Sequence, residues 1–187
     1  MRLIENKEEF DKVYAIMEES FPEDERRTYA EQRALLNEPE YKIYAFTDGE
    51  QIRAFIAIWE FEKAIFVEHL AVSSEYRNAK LGSKILQKLM SESDKMICLE
   101  VELPNNEIAK RRIGFYERNG FYLNGYDYVQ PPMSEGKSEI PLSIMTSQRK
   151  IDESEFEYIR SMLYKKVYKR GIGSESIGIG GQARLHN

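Results

Sequence analysis

Apolar residues recur near the start of the chain at the spacing of one helix face: Phe10, Val13, Tyr14, Met17 and Phe21. Asn6 followed by Glu9 reads as a capping pair at the head of that helix. Pro22 interrupts, and a second helical stretch runs from about residue 25 to 37, stopped before Pro39. From Tyr41 the texture becomes β: YKIYAFT, the turn residues Asp48 and Gly49, RAFIAIWEF, and then AIFVEHLAV over 64–72. Helical spacing returns with Leu81, Ile85, Leu86, Leu89 and Met90, and an apolar run, MICLEVEL, follows over 96–103. Next comes a helix with Ala109, Ile113 and Tyr116, for which Asn119 and Gly120 form a left-handed stop. FYLNGYDYVQ and PLSIMT read as two further strands, joined by a turn-rich loop around 134–137. The order is ααβββαβαββ, and the middle β-α-β unit is long enough for a parallel crossover. A sheet covered by helices on both faces is the natural packing, an α/β (α+β) fold. A last amphipathic helix starts at Asp152 and Glu155, with Phe156, Ile159, Leu163 and Val167 on one stripe. The expected organisation is a domain over 1–150, that helix over 151–170, and a glycine-rich tail over 171–187.

Composition narrows the class. A chain of 187 residues fits one domain, and can bury roughly 70% of its unfolded surface without staples. The net charge of −5 argues against a general nucleic-acid binder. That charge is uneven: Lys165, Lys166, Lys169, Arg170 and Arg184 stand against Glu175 alone over 165–187, a net +4 that leaves −9 on 1–164. No apolar run approaches the ~20 residues of a membrane span, and the opening residues turn acidic where a signal peptide needs an apolar stretch. One cysteine, Cys98, precludes an internal disulfide and fits a cytoplasmic protein. His69 and His186 with that one cysteine make no zinc spacing.

Chemistry concentrates in HLAVSSEYRNAKLGSKILQKL, residues 69–89. A strand ends near Ser73, a short loop follows, and a helix begins near Leu81. Such a helix start leaves N–H groups unsatisfied and pointing one way, which suits an anion. Gly82 permits close approach, and Arg77, Lys80 and Lys84 add positive charge. Neither a Walker loop nor a three-glycine dinucleotide fingerprint is present. On spacing alone the segment reads equally as a strand-to-helix turn with solvated basic residues.

The stretch EHLAVSSEYRNAKLGSKIL resembles the acyl-CoA signature of the GNAT superfamily of N-acetyltransferases, Arg/Gln-x-x-Gly-x-Gly/Ala at the start of a helix. Arg77 matches the first position and Gly82 the last, while Lys80 replaces the middle glycine. RRIGFYERNGF over 111–121 resembles the family's later helix with its tyrosine, and FPEDERR resembles the N-terminal helix-loop-helix of bacterial members. The resemblance covers about residues 1–150. It implies a mixed, largely antiparallel sheet with helices on both faces, and acetyl-CoA as cofactor. It also implies that strands 64–72 and 96–103 splay around the pantetheine arm. Backbone groups around Leu70, Ala71 and Val72 would bond that arm. The amides of Arg77, Asn78, Ala79, Lys80, Leu81, Gly82 and Ser83 would hold the pyrophosphate, and an N–H near Leu70 would polarise the acetyl carbonyl. Tyr116 falls at the family's general-acid tyrosine and would contact the cofactor. Many members carry an Asn where this chain has Ala109. Asn105 and Asn106 lie upstream as helix caps, and the contact is either moved to them or lost. Lys80 costs about 1 kcal/mol or more if its position requires a positive φ.

The reaction dictates a base. An alkyl amine with a pKa near 10 is neutral in only about one part in a thousand at pH 7. Glu68, Glu100 and Glu102 lie near the ends of the two flanking strands and could take the proton directly or through water. Alternation puts Glu100 and Glu102 on one face. Glu68 is the first choice because its strand also supplies the oxyanion donor, and His69 beside it points the other way as a structural residue. The expected function is direct acetyl transfer to a primary amine in a ternary complex. The alternative is a non-catalytic acyl-CoA-binding or regulatory domain of the same fold. The acceptor groove falls to residues 10–37 and 121–147. Its acidic setting suits a cationic small-molecule or peptide amine, with no nucleic acid and no membrane as partner. The last helix could pack on the domain or on another subunit, which makes a homodimer a possibility to test.

Overall fold

The computed structural model describes residues 1–49, 51–77 and 80–169. The tail over 171–187 lies outside the described residues. A short strand β1 (Arg2–Leu3) precedes α1 (Lys7–Ser20), whose Asn6 cap accepts the Glu9 N–H at 3.0 Å. The second helical stretch is shorter than its periodicity suggests. Only α2 (Tyr29–Ala34) is α-helical, between 3-10 turns at Glu23–Glu25 and Leu35–Asn37, because Thr28 and Glu31 form a capping box that starts the helix late. Then come β2 (Tyr41–Asp48), β3 (Gln51–Glu60), β4 (Ala64–Val72), α3 (Leu81–Ser91), β5 (Met96–Glu102) and α4 (Glu107–Arg118). Gly120 ends α4 at φ +86, as its left-handed role requires.

The run FYLNGYDYVQ is two strands, β6 (Phe121–Leu123) and β7 (Tyr128–Gln130). Between them Asn124 leaves the ladder. Its amide donates to the Ile144 carbonyl at 3.1 Å and to Thr146 Oγ1 at 2.9 Å, and its Oδ1 accepts the Ile151 N–H at 3.0 Å. Strand β8 (Ile140–Ser147) pairs with both, and α5 (Glu153–Met162) follows a second capping box at Asp152 and Glu155.

All eight strands form one sheet in the order β1-β2-β3-β4-β5-β8-β6, with β7 also on β8. Every pairing is antiparallel except β4 with β5. One face buries Phe10, Val13 and Met17 of α1 with Phe55, Trp59 and Phe66 of the sheet. Phe156, Ile159, Leu163 and Val167 join this same cluster, so the stripe of α5 is covered by its own chain rather than by a second subunit. The other face packs α3 (Ile85, Leu86, Leu89) and α4 (Ile113) on Ile56, Val67, Leu99 and Val101. Among the described residues no helix is long and apolar enough to cross a membrane.

Candidate active site

The parallel pair holds for only four residue pairs, from Ala64 with Met96 to Val67 with Leu99. Beyond them β5 follows β8, and β4 stays with β3. The gap opens a cleft of about 980 Å³ lined by both strands, by α3 and α4, and by the loop after α1. The Ser73 N–H bonds the Arg53 carbonyl on the β3 side at 2.9 Å. By strand alternation Leu70 and Val72 therefore turn their N–H and C=O groups to the cleft, whereas Ala71 bonds toward β3.

The mouth of the cleft is the start of α3. Lys80 adopts φ +56, the left-handed conformation that the missing glycine would take, and its side chain does not cap the helix. The first intrahelical bond runs from Lys84 N–H to the Lys80 carbonyl at 3.1 Å, so the N–H groups of Leu81, Gly82 and Ser83 have no acceptor within the helix. Arg77 and Lys80 line the mouth beside them. Asn78 and Ala79 lie outside the described residues. Gly82 also serves packing: a Cβ there would sit 3.1 Å from Cζ of Phe115, on α4.

The three candidate carboxylates meet different environments. Where β4 passes β3 the register shifts, Ala57 opposing His69 and Ile58 opposing Val67, so Glu68 has no partner of its own. This bulge overturns the expected alternation at His69. Glu68 and His69 both turn to the α1 face, where His69 packs on Phe21 with ring centroids 4.6 Å apart and donates Nε2–H to the Glu25 carbonyl at 2.9 Å. The Glu68 carboxylate is fully buried, with Arg27 Nη1 at 2.5 Å, Trp59 Nε1 at 3.2 Å, Gln32 Nε2 at 3.2 Å and His69 Nδ1 at 3.5 Å. Burial is the largest influence and would raise its pKa, but the charge and hydrogen bond of Arg27 together with the contact from His69 outweigh it and hold the carboxyl well below the usual carboxylate range.

Among the described residues no Lys or Arg pairs with Glu100. The Tyr168 hydroxyl donates to Oε2 at 2.7 Å and lies 2.9 Å from Oε1, and the Tyr128 hydroxyl also donates to Oε1. Burial raises this carboxyl to about 7, against the pull of the two phenols. Glu102 shares the face with Glu100, lines the cleft, and pairs with Arg112 at 2.8 Å. Glu25 is raised by burial and by the Glu102 charge.

Tyr116 lines the cleft from α4, its ring against Phe115 and Phe121 at 5.2 and 5.8 Å. Burial pushes its phenol up to about 12, so it keeps its proton at neutral pH. Asn105 and Asn106 are exposed and outside the cleft lining; Asn106 caps α4 through the Ala109 N–H at 2.8 Å, while Asn119 lines the cleft instead. Cys98 is buried, and burial raises its thiol. Sequence reasoning missed Arg27, Tyr128 and Tyr168. Arg27 stands in the quoted FPEDERR segment, but nothing in the chain links either tyrosine to Glu100.

Comparison with known proteins follows the same lines. The family described as acetyltransferase (GNAT) domain matches residues 39–123. A solved structure, a candidate acetyltransferase of the GNAT family from Bacteroides thetaiotaomicron, superposes with a TM-score of 0.84 at 32% identity, covering 91% of this chain and all of that one. YjbC of Bacillus subtilis (strain 168), named as a candidate acetyltransferase, is 36% identical over 110 residues, 58% of this chain and 55% of that protein. The matched stretch thus spans about half the length of this curated relative. An aminoglycoside 6'-N-acetyltransferase solved with coenzyme A shares the fold, with a TM-score of 0.60 at 19% identity over 79% of this chain and 96% of its own.

Proposed function

The chain belongs to the GNAT family of acetyltransferases, and from that premise we propose that it moves the acetyl group of acetyl-CoA directly to a primary amine, with Glu100 as base and Tyr116 as acid. Acetyl-CoA supplies the activated thioester. The residues present fit it. Leu70 and Val72 offer an unpaired strand edge to an extended amide-bearing arm. The free N–H groups of residues 81–83, with Arg77 and Lys80, suit its phosphates. The Leu70 N–H, which turns to the cleft, would polarise the acetyl carbonyl.

Glu100 takes a proton from the acceptor ammonium, and a base poised near the working pH combines ionisation with proton affinity. As the N–C bond forms and the C–S bond breaks, Tyr116 gives its hydroxyl proton to the leaving sulfur, and the acetylated nitrogen sheds its second proton to solvent. Solvent restores the Tyr116 proton and accepts the one held by Glu100. Glu68, tied to Arg27, is too weak a base for this step and serves to anchor β4 at the bulge. Glu102 is engaged by Arg112. Ser20, Phe21, Glu25, Gln130 and Met133 line the acceptor side, where Glu25, with Glu100 and Glu102 of the same cleft, suits a cationic small-molecule or peptide amine.

One observation carries this reading: a buried carboxyl near neutrality shares one cleft with a protonated phenol. Thiol release from acetyl-CoA, measured with a polyamine, an aminoglycoside, a lysine peptide and a free peptide N-terminus, tests it. At least one amine should turn over, and Glu100→Gln should lower the rate by about 10²–10⁴-fold while CoA still binds. Tyr116→Phe should lower it as well. CoA binding without turnover of any amine would favour the non-catalytic binding domain. Full activity in Glu100→Gln would remove that residue from the role of base.

A further inference from the structure

Helix α5 begins with an ordinary period and ends with a wider one. From Leu163 to Val167 the chain forms a π turn, closed by the Tyr168 N–H on the Leu163 carbonyl at 3.0 Å. Under an unbroken period of about 3.6 residues, Tyr168 would stand roughly a third of a turn away from Phe156. The wider turn retards the helix and brings Tyr168 inward beside Val167, while Lys165 and Lys166 remain exposed. Lys169 then takes φ +52, and its ammonium reaches Glu38 at 2.7 Å.

This turn ends in the cleft's chemistry. The Tyr168 hydroxyl lies against both oxygens of Glu100, 68 residues away in sequence. The preceding carbonyl, that of Val167, accepts Arg27 Nη2 at 3.0 Å, and Arg27 holds Glu68 with its other nitrogen. We infer that Tyr168 is a positioning residue for Glu100: the π turn of α5 delivers a phenol that fixes the carboxyl's orientation and favours its ionised form, making the C-terminal helix part of the active site. As a statement about catalysis this rests on Glu100 being the base.

The groups facing Glu100 are Tyr128 on β7, Tyr164 and Tyr168 at the end of α5, Glu68 and His69 on β4, and Cys98 on its own strand. Tyr128 and Tyr168 donate to the carboxylate, and donors to the charged form stabilise it. Loss of the Tyr168 hydroxyl therefore makes Glu100 harder to ionise, which moves any activity requiring its carboxylate to higher pH.

The test uses the full chain with two readouts. The first is the carbon-13 titration of the Glu100 carboxyl, assigned by its disappearance in Glu100→Gln. In Tyr168→Phe this titration should move up by about one pH unit. Tyr168 replaced by 3-fluorotyrosine, which keeps the ring's shape and strengthens the donor, should move it down. The second readout is the pH profile of kcat/KM with the amine that the panel identifies. Its acid limb should follow the titration, with about tenfold lower rates below the limb and an unchanged plateau above it. A Glu100 titration unmoved in both Tyr168 variants would overturn the inference, as would a rate loss equal at every pH. A titration that moves while Glu100→Gln stays fully active would keep the contact but defeat Glu100 as base.

Discussion

Glu68 and Glu100 stand on the two strands that part, both buried and both lining one cleft, yet their pKa values are displaced in opposite directions. Burial raises both. At Glu68 a guanidinium at 2.5 Å and the adjoining His69 together reverse the effect, because their combined charge and hydrogen bonds outweigh desolvation. At Glu100 two neutral phenols only moderate it, and the carboxyl remains near 7. The ends of the two strands thus differ by the company each carboxyl keeps, a guanidinium and an imidazole at one and two phenols at the other. That difference, more than position along a strand, underlies the proposal of Glu100 rather than Glu68 as base.

The comparison can be broken first at Arg27. Arg27→Met leaves Glu68 buried without its cation and should lower stability at pH 7 by about 3–5 kcal/mol in urea denaturation. Arg27→Met with Glu68→Leu should recover much of that loss; a single variant as stable as the parent would mean that the ion pair is not what distinguishes the two sites.

A somewhat smaller effect has opposite signs at the two residues. The folded pKa of Glu68 is lowered, so its contribution to stability is present above about pH 4.3 and is lost as pH falls through the lower folded value. The folded pKa of Glu100 is raised to about 7, so stability declines as pH rises from about 4.3 to that value and is level beyond it. Glu100→Gln should therefore gain stability relative to the parent across that window, on the order of 3 kcal/mol by pH 7. A difference independent of pH would refute the raised carboxyl. The smallest effect is Lys80→Gly, which removes the left-handed strain and should stabilise the protein by about 1 kcal/mol. It should leave both pH dependences in place, since Lys80 stands at the start of α3 and makes no contact with either carboxylate.

Much of the frame was legible in the chain. The strands over 64–72 and 96–102 and the loop into α3 follow from hydrophobic period, whereas the positive φ at Lys80 stands only as a condition raised by the glycine of the family signature. The surroundings of Glu68 argue against it as base and move the proposal to Glu100. The Arg27 partner of Glu68 is 41 residues away, and the bulge that turns Glu68 and His69 to one face breaks the two-residue period on which side-chain direction was read. Tyr168 escaped for a related reason: the stripe of α5 continues correctly to Val167, and only the wider turn brings the next residue inward. In each case a local departure from ideal geometry decides where a side chain points, and periodicity assumes there is none.

The short parallel pairing has a mechanical consequence. Among the described residues, four residue pairs are the only ladder between the half-sheet β1–β4 and the half-sheet formed by β5 to β8. The sheet therefore carries an interior seam, zipped at one end and open at the other. A ligand lying as a strand along Leu70 and Val72 would extend the ladder and stitch the halves together. Occupancy would then register as a rise in melting temperature, growing with ligand concentration by mass action.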